Sequence, residues 1–260
     1  MGQSCRWNLY RPFAVFTTVP SPIPTESPSV PSRQRVGILG GTFNPPHFGH
    51  LQLAQCAQQQ AGLDRVLWVP SDRSPHKADP SIPSLAHRSA MVDAAIAPYP
   101  TFQRVLPCSP QALSYGVDTF NALTQHYPAQ SWFWIVGLDT FQTLPRWYRL
   151  EDFVARCQWL VAPRPLNADR PISASAGSSR DSAVAIANTI EQAIQSQGRS
   201  LNWTMLQMSP VPISSTHLRP LFQHSSKQQS LQSDASSAQN LTNWLPSSVI
   251  HYIKEHQLYG

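Results

Sequence analysis

The sequence predicts an α/β fold, a Rossmann-like doubly wound parallel sheet with a C-terminal helical segment. Short apolar runs of strand length alternate along the chain with longer segments whose apolar residues recur at helical spacing. The first apolar run stops at Gly40-Gly41 and soon leads into a helical pattern, as the first strand of such a sheet does. Short connections then favour right-handed crossovers, with helices on both faces of the sheet.

Two periodicities define the expected elements. Apolar runs rich in β-branched and aromatic residues predict strands at Val36–Leu39, Arg65–Val69, Phe102–Leu106, Trp132–Val136, Gln158–Ala162 and Trp203–Gln207. Apolar residues three and four positions apart predict helices at Leu51–Ala61, Leu85–Ala97, Val117–Gln125, Thr216–Phe222 and Ser247–Glu255. The carboxyl ends of parallel strands share one edge of the sheet, so we expect ligands to bind there.

Residues 35–260 are expected to form the folded domain. With 260 residues, 41% of them hydrophobic, the chain can build a sizeable core. Residues 1–34 contain a long Pro/Ser-rich stretch and are expected to be a disordered extension, because such a segment buries too little apolar area to offset its ordering entropy. Two low-complexity stretches, near residues 167–182 and 223–240, are expected to be surface loops or insertions.

Composition limits the partners and the compartment. The net charge is +5, but the cationic residues form no run, which favours an enzyme for anionic nucleotides over a nucleic-acid binder. The four cysteines are scattered without a C-x-x-C pair, which indicates a reducing, cytoplasmic compartment and no zinc site. No apolar run is long enough to span a membrane, so we expect no membrane partner. The sequence leaves open whether the chain forms a homo-oligomer.

The most informative motif runs from Val36 to His50 and reads VGILGGTFNPPHFGH. The first βα turn of a doubly wound sheet holds phosphates on free amides at a helix N-terminus, which carries a partial positive charge. His47 and His50 at that point would add donors for phosphate oxygens. A metal site and a helix cap are the alternatives, and the surrounding strand, glycine pair and helix favour the phosphate site. The motif is neither a Walker A loop nor the G-x-G-x-x-G fingerprint.

Two further segments predict anion binding. Ser74-Pro75-His76-Lys77 follows the second strand, where Lys77 would supply a mobile positive charge, or would simply be a solvated loop cation. Ser214, Ser215 and Thr216 precede a helical stretch that carries Arg219 one turn later. Helix capping alone needs only one of these hydroxyls. The other hydroxyls, the first-turn amides and Arg219 would then form a second anion cradle.

A third segment predicts recognition of a planar ring. The fourth strand should end at Gly137, which places Asp139 at the carboxyl edge of the sheet. Trp147 follows and offers a flat face for stacking, although a Trp at such a position is also typical of a partly buried core.

These motifs resemble the nucleotidyltransferases with an H-x-G-H signature. The string GGTFNPPHFGHL is similar to the bacterial nicotinate mononucleotide adenylyltransferases, whose pattern usually has Asp where this chain has Asn44. Gly116 likewise stands where that family usually has Thr. The other matching segments are Ser74-Pro75-His76-Lys77, Ser114-Tyr115, Gly137-Leu138-Asp139, Pro145-Arg146-Trp147-Tyr148, Arg164-Pro165, Ile213 to Arg219, and the ending from Leu245-Pro246 to Leu258-Tyr259.

The resemblance implies a reaction and a set of site residues. The 5′-phosphate of nicotinate mononucleotide would attack the α-phosphorus of ATP, giving nicotinate adenine dinucleotide and pyrophosphate in NAD biosynthesis. Mg²⁺ would accompany ATP without a dedicated protein metal site. The implied catalytic residues are His47, His50, Lys77 and Arg219. The implied ATP-binding residues are Gly41, Thr42, Phe43, His47, His50, Ser214, Ser215, Thr216 and Arg219. The implied mononucleotide-binding residues are Asn44, His76, Lys77, Ser114, Tyr115, Asp139, Trp147 and Arg164.

Three rival functions stay open. One is another H-x-G-H enzyme, acting on nicotinamide mononucleotide, on pantetheine phosphate or with CTP; the Trp147 segment and the chain length argue against the latter two. A second is a nucleotide-binding regulator that has lost catalysis, for which Asn44 leaves room although His47, His50, Lys77 and Arg219 are intact. A nucleic-acid-binding module is the third, and a strongly salt-dependent affinity for DNA or RNA would favour it.

Overall fold

The computed structural model describes residues 33–71, 82–106, 115–127, 130–163, 176–209, 213–227 and 241–260. Four implied site residues lie outside these ranges, namely His76, Lys77, Ser114 and Arg164. Residues 1–32 and most of the two predicted insertions also lie outside them.

The described residues form a six-stranded sheet in the order β3-β2-β1-β4-β5-β6, and every neighbouring pair is parallel. The strands are β1 at Gln34–Gly41, β2 at Arg65–Pro70, β3 at Phe102–Arg104, β4 at Gln130–Gly137, β5 at Gln158–Ala162 and β6 at Trp203–Met205. This order is that of a doubly wound Rossmann-like sheet. The predicted fold class is confirmed.

Helices cover both faces of this sheet. They are α1 at Phe48–Ala61, α2 at Leu85–Ile96, α3 at Gly116–His126, α4 at Leu138–Gln142, α5 at Ala176–Gln195, α6 at Ser215–Lys227 and α7 at Ser247–Glu255. Three short 3-10 turns lie between α4 and β5, at Leu144–Arg146, Leu150–Asp152 and Val154–Arg156. Of the described helices, none combines the length and apolar character that a membrane span requires.

Side chains of each central strand alternate between two apolar layers, as the pleat of a strand dictates. On β4, Phe133 and Ile135 face one layer, and Trp132, Trp134 and Val136 face the other. The first layer buries the apolar faces of α1, α2, α6 and α7. The second buries those of α3, α4 and α5. Because both faces are covered, the strands are almost continuously apolar, which is why they could be identified from sequence.

Two predicted insertions are corrected in part. The stretch near 167–182 was expected to be a surface loop or an insertion, but the helix α5 begins within it, at Ala176. Its buried residues Ala183, Ala187 and Ile194 are separated by four and then seven positions, so a helical stripe is present within the Ser/Ala-rich composition. The stretch near 223–240 carried the same expectation, but α6 continues into it, to Lys227.

The strand order places the site. Strands β1 and β4 are neighbours in the middle of the sheet, and the chain leaves them towards opposite edges. A crevice opens at such a switch point, outside the carboxyl ends of the two strands. The turn after β1 and the segment from α4 to Trp147 therefore flank the same crevice.

Candidate active site

The turn between β1 and α1 is held by Phe43. This residue has a left-handed backbone with φ of 47°, which costs a non-glycine residue about 1–2 kcal/mol. Its buried ring contacts the rings of Trp68 and His50, with centroids 5.1 and 5.2 Å away. Burial of the ring offsets the cost of the turn, which keeps Gly41 and Thr42 at the carboxyl edge of β1.

His47 and His50 cap the N-terminus of α1 reciprocally. The Gly49 amide donates to His47 Nδ1 at 3.1 Å, and the His47 amide donates to His50 Nδ1 at 3.2 Å. This is a capping box, in which two backbone donors at a helix end are satisfied by side chains. Gly49 is needed because a Cβ at that position would lie 2.9 Å from the imidazole of His47. The helix-cap alternative is therefore correct for Nδ1 of each ring, and it leaves the role of Nε2 to be explained.

The cap also fixes the protonation of the two rings. Each Nδ1 accepts a backbone N–H, so the proton of each neutral imidazole lies on Nε2. Burial lowers the pKa of His47 to about 4. Burial also lowers the pKa of His50 well below its usual value of 6.5, and the adjacent His47 lowers that pKa further. At neutral pH the pair thus presents two N–H donors without a charge, with ring centroids 3.8 Å apart.

The first-turn amides of α1 do not match the expected phosphate site. The Phe48 amide donates to the Trp244 carbonyl at 2.9 Å, and the His50 amide donates to the His47 carbonyl at 2.9 Å. The Gly49 amide is already bonded to His47. The expectation of free amides at this helix end was therefore wrong, because the histidine cap and the segment before α7 satisfy them. The imidazole Nε2–H groups are the donors that this end of the helix offers.

The start of α6 contacts the same turn. The Ser215 hydroxyl donates to the Pro45 carbonyl at 2.9 Å, which joins two motifs 170 residues apart in sequence. The Ser214 hydroxyl hydrogen-bonds to His217 Nδ1 at 2.9 Å within the cap of α6. Of the predicted hydroxyl cradle, Ser214 thus caps the helix and Ser215 ties it to the turn.

Arg219 lies one turn into α6, as the sequence predicted, and the structure places its guanidinium beside the β1–α1 turn. Its Nη1 donates to the Asn44 carbonyl at 3.2 Å, and its Nη2 donates to the Thr216 hydroxyl at 3.4 Å. The bonds to the carbonyls of Asn44 and Pro45 place the start of α6 against the turn that leads to His47, so the two segments with predicted anion cradles adjoin.

A buried arginine that the sequence analysis missed braces this turn from α2. Arg88 has no exposed surface, and its Nη1 donates to the carbonyls of Thr42 at 2.8 Å and Ser71 at 2.6 Å. Its Nε donates to the Pro83 carbonyl at 3.1 Å. A buried charge is tolerated only with such hydrogen bonds. Arg88 joins the chain segments that follow β1 and β2, but an arginine within a helical pattern gives no sequence signal for that role.

A cavity of about 540 Å³ opens between the carboxyl ends of β1 and β4. Gly41 and Thr42 line it on the side of the β1–α1 turn, and Tyr115, Gly116 and Trp147 line it on the other. Its volume is typical of a site for a small organic ligand. Four residues predicted from sequence thus meet in one cavity, two assigned to ATP and two to the mononucleotide.

Trp147 is fixed as a wall of that cavity. Its Nε1 donates to the Thr143 hydroxyl at 3.0 Å, and its ring stacks on Phe153 with centroids 6.2 Å apart and planes at 26°. A Cβ at Gly116 would lie 2.7 Å from Cζ3 of Trp147. The departure from Thr at position 116 therefore makes room for the indole. Trp147 belongs both to the aromatic core and to the cavity, so the two alternatives for it are compatible.

Two residues assigned to the mononucleotide lie elsewhere. Asp139 is exposed in the first turn of α4, and Asn44 is only 6% exposed. Neither is among the described residues that line the cavity, and neither are His47, His50 and Arg219, which lie around the β1–α1 turn. The Asn44 side-chain oxygen accepts a hydrogen bond of 2.6 Å from the Tyr259 hydroxyl. Tyr259 was missed as a site residue because a contact across 215 positions leaves no local pattern.

Two further residues line the cavity that were not predicted to be site residues. Arg146 and Tyr148 flank Trp147 and line the cavity. The Tyr148 ring meets the Tyr115 ring with centroids 4.9 Å apart, and both rings are exposed. Adjacency to Trp147 in sequence was the available signal for both.

Comparison with known proteins identifies the class. A family model described as cytidylyltransferase-like matches residues 38–220. This span runs from β1 into α6 and contains the capped histidine pair and Arg219. The chain therefore belongs to the cytidylyltransferase-like nucleotidyltransferases.

Similar proteins narrow this assignment. A probable nicotinate-nucleotide adenylyltransferase of Trichormus variabilis is 34% identical over 228 residues, which cover 87% of this chain and 98% of that protein. A protein of the same description from Synechococcus sp. strain JA-3-3Ab is 37% identical over 238 residues, which cover 90% of this chain and 98% of that protein. The chain belongs to the nicotinate-nucleotide adenylyltransferase family, as its motifs predicted.

A solved structure agrees with the fold. The nicotinic acid mononucleotide adenylyltransferase of Plasmodium falciparum, solved in complex with NaAD, matches with a TM-score of 0.61. The match covers 87% of this chain and 98% of the other, at 14% sequence identity. At that identity the likeness concerns the fold alone.

Proposed function

We propose that this protein joins ATP and nicotinate mononucleotide, giving nicotinate adenine dinucleotide and pyrophosphate for NAD biosynthesis. One observation carries the proposal. The cavity walled by Trp147 and Tyr115 is also lined by Gly41 and Thr42, which belong to the turn that leads to the capped histidines. A pyridine ring beside Trp147 would therefore share one cavity with the turn that precedes the phosphate donors. The described relatives carry the same activity in their names.

The chemistry needs no general base. The 5′-phosphate of the mononucleotide is already an anion at neutral pH. One of its oxygens forms a bond to the α-phosphorus of ATP, and the bond from that phosphorus to the bridging oxygen breaks to release pyrophosphate. Catalysis then consists of in-line positioning and stabilisation of charge on the phosphate oxygens. Neutral, preorganised Nε2–H donors suit this task because no proton has to be exchanged with them.

We assign the phosphates to four side chains. His47 and His50 donate from Nε2, and Arg219 supplies a positive charge at the same turn. The fourth side chain is Lys77, which we assign from the sequence motif after β2. The end of that strand lies at the cavity, because Ser71 lines it.

The remaining assignments follow the family pattern. We propose that the backbone of residues 41–43 and the start of α6 at residues 214–216 hold ATP. We propose that His76, Ser114, Tyr115, Trp147 and Arg164 surround the mononucleotide, of which Tyr115 and Trp147 line the cavity. For Asn44, whose side chain is bonded to Tyr259, and for Asp139, in the first turn of α4, we propose indirect roles in shaping the site.

Mg²⁺ would reach the site on the triphosphate of ATP. Among the described residues, no group of three or more His, Cys, Asp or Glu side chains could hold a metal ion. The donors at the β1–α1 turn are N–H groups, which bind anions and not cations. Mg²⁺ commonly binds through substrate phosphates and keeps its waters, so this donor set fits a metal carried by ATP. There it would neutralise charge on the departing pyrophosphate.

We further propose a preference for the acid over the amide mononucleotide. Helix α3 begins at Gly116 beside Trp147, and the first-turn amides of a helix have no acceptor within it. Among the described residues that line the cavity, Arg146 is the one with a positively charged side chain. A carboxylate accepts hydrogen bonds on both oxygens, whereas a carboxamide would turn its NH₂ towards some of these donors.

We also propose that the protein acts in the cytoplasm. Cys56 and Cys157 are free thiols, which agrees with a reducing compartment. Burial raises the pKa of the Cys157 thiol, so this group stays protonated, and its Sγ donates to the Phe153 carbonyl at 3.7 Å.

A substrate panel tests the proposed function. The purified protein is incubated with Mg²⁺, with ATP or CTP, and with nicotinate mononucleotide, nicotinamide mononucleotide or 4′-phosphopantetheine, and pyrophosphate release is measured. We expect turnover with ATP and the pyridine mononucleotides, and the highest kcat/KM with the acid. Turnover with phosphopantetheine or with CTP would assign the chain to another branch. ATP binding without pyrophosphate release in any combination would favour a regulator.

A further inference from the structure

We propose that Tyr259 is a positioning residue for Arg219 and acts through Asn44. The segment 256–260, which follows α7, would thereby set the geometry of the phosphate-binding arginine. This inference rests on the function proposed above, because it assigns a role within that site.

The first link is the hydrogen bond between Tyr259 and Asn44. The Tyr259 hydroxyl donates to Asn44 Oδ1 at 2.6 Å, which is at the short end of the range for O–H···O bonds. Asn44 is only 6% exposed, so water offers little replacement for this donor. The bond fixes a side chain in the turn between β1 and α1, in the middle of the phosphate motif.

The second link runs from Asn44 to Arg219. The Asn44 backbone carbonyl accepts from Arg219 Nη1 at 3.2 Å, while the Thr216 hydroxyl accepts from Nη2 at 3.4 Å. Fixing the Asn44 side chain therefore also fixes the carbonyl that orients the guanidinium. Both acceptors are uncharged, so Arg219 keeps its full positive charge for a phosphate.

The segment after α7 is shaped to deliver this hydroxyl. Tyr259 has a left-handed backbone with φ of 69°, and Gln257 has φ of 50°. Such conformations are unfavourable for residues with a side chain and persist where other contacts impose them. The Leu258 amide donates to the Ile253 carbonyl at 3.0 Å, and the Tyr259 ring contacts that of Phe222 on α6, with centroids 5.9 Å apart. Tyr259 thus contacts both the turn and the helix that carries Arg219.

The charge around the hydroxyl is consistent with this role. Burial raises the pKa of Tyr259, so the hydroxyl stays protonated and remains a donor at neutral pH. The charges of Arg219 and Arg88 oppose that rise in pKa, which places both guanidinium groups within electrostatic reach of the hydroxyl. Asn44 stands where the family usually has Asp. A neutral acceptor lets Tyr259 position the turn without an anion that would compete with phosphate for Arg219.

Tyr259→Phe tests the proposal, because it keeps the ring against Phe222 and removes only the hydroxyl. We expect kcat with ATP and nicotinate mononucleotide to fall about 3- to 10-fold, as for one lost hydrogen bond acting on the transition state. We expect KM for the mononucleotide to stay within about 2-fold. The matched control is Tyr252→Phe on α7, which removes a hydroxyl bonded at 3.1 Å to Nδ1 of His87 on α2, and kcat should not change.

A double-mutant cycle with Arg219→Lys separates positioning from simple packing. If Tyr259 acts through the guanidinium, Tyr259→Phe should change kcat by less than about 2-fold in the Arg219→Lys background. Unchanged kcat for Tyr259→Phe would overturn the proposal, whether or not its Tm falls. An undiminished effect in the Arg219→Lys background would also overturn it. Normal turnover by the unmodified protein shows in either case that the proposed function stands. Absence of that turnover would overturn both.

Discussion

The two histidines of the β1–α1 turn divide two tasks between their ring nitrogens. Nδ1 of each ring accepts a backbone amide at the start of α1, and this contact leaves Nε2–H of each ring as a donor. Capping and phosphate binding are therefore not alternatives for His47 and His50. The same geometry explains Gly49, because a Cβ there would collide with His47.

Two substitutions of His50 separate these tasks. His50→Asn places an amide oxygen near the position of Nδ1, so it keeps the cap and loses the Nε2–H donor. We expect its kcat to fall about 10²–10³-fold with little change in Tm. His50→Gln places an amide N–H near the position of Nε2 and gives up the cap. We expect a smaller loss of kcat and about 1 kcal/mol less unfolding free energy. Steady-state kinetics and thermal melts of both variants measure these effects. Equal kcat values for the two variants would contradict the assignment of capping to Nδ1 and of phosphate binding to Nε2.

The lowered pKa of His47 makes stability depend on pH below neutrality. The pKa is about 4 in the folded state and 6.5 when unfolded, so between these values the unfolded state binds more protons. Unfolding free energy should therefore fall as pH drops from 6.5 to 4, by on the order of 3 kcal/mol from this residue, and be insensitive to it above 6.5. Urea titrations at pH 7, 5.5 and 4.5 measure this effect. His47→Asn, which retains a capping oxygen, should lose less stability over that range, and an equal loss would exclude His47 as the cause.

At the scale of elements, helix α3 and the segment after α4 form one unit around Trp147. The indole packs on Phe153 and against Gly116 at the start of α3, and its Nε1 is held by Thr143. This packing fixes the position of the indole in the cavity wall. Helix propensity would favour alanine at the first position of α3. The glycine found there is therefore explained by the space that Trp147 occupies.

Gly116→Ala tests that unit. Its Cβ would lie 2.7 Å from Cζ3 of Trp147, so the indole must shift, and overpacking of this kind costs about 1–3 kcal/mol of unfolding free energy. We expect KM for the mononucleotide to rise more than KM for ATP. Trp147→Phe shortens the ring and serves as the matched background, in which Gly116→Ala should cost clearly less in stability and in KM. Additive effects of the two substitutions would show that the two side chains do not share this space.

Comparison of the predicted and observed elements shows which sequence patterns are enough to locate a helix or a strand. The bounds of β5 and α7 agree with their predictions because each has a clear apolar period between polar or proline boundaries. Helix α1 begins at Phe48, earlier than predicted, since the cap is formed by a histidine and not by a usual capping residue. Helix α5 was missed because its buried stripe is built largely from Ala within a Ser-rich stretch.

At the scale of the whole molecule, the order of motifs along the chain was enough to predict one site at one sheet edge. Parallel strands bring their carboxyl ends together, so motifs that follow β1 and β4 had to meet. Contacts made by single side chains across the fold could not be predicted. Arg88 with Thr42, Ser215 with Pro45 and Tyr259 with Asn44 depend on how helices from distant parts of the chain pack on the sheet.

Removal of residues 1–32 tests the predicted division of the chain. Pro and Ser dominate residues 20–32, a composition that buries little apolar area, and β1 begins after them at Gln34. We expect Tm and kcat/KM of the shortened protein to match those of the full chain within experimental scatter. A marked fall in Tm or in the yield of soluble protein would show instead that this segment packs on the domain.

Internal competition between the two pyridine mononucleotides is the decisive experiment on the proposed reaction. The unmodified protein is given ATP, Mg²⁺ and equal concentrations of nicotinate and nicotinamide mononucleotide, and both dinucleotide products are separated and quantified early in the reaction. Their initial ratio equals the ratio of the two kcat/KM values, so it measures adenylyl transfer and ring recognition at once. We predict that nicotinate adenine dinucleotide exceeds NAD by at least about 10-fold, which is 1.4 kcal/mol of discrimination. Equal products, or an excess of NAD, would contradict the acid-specific site, and absence of both dinucleotides would contradict the account as a whole.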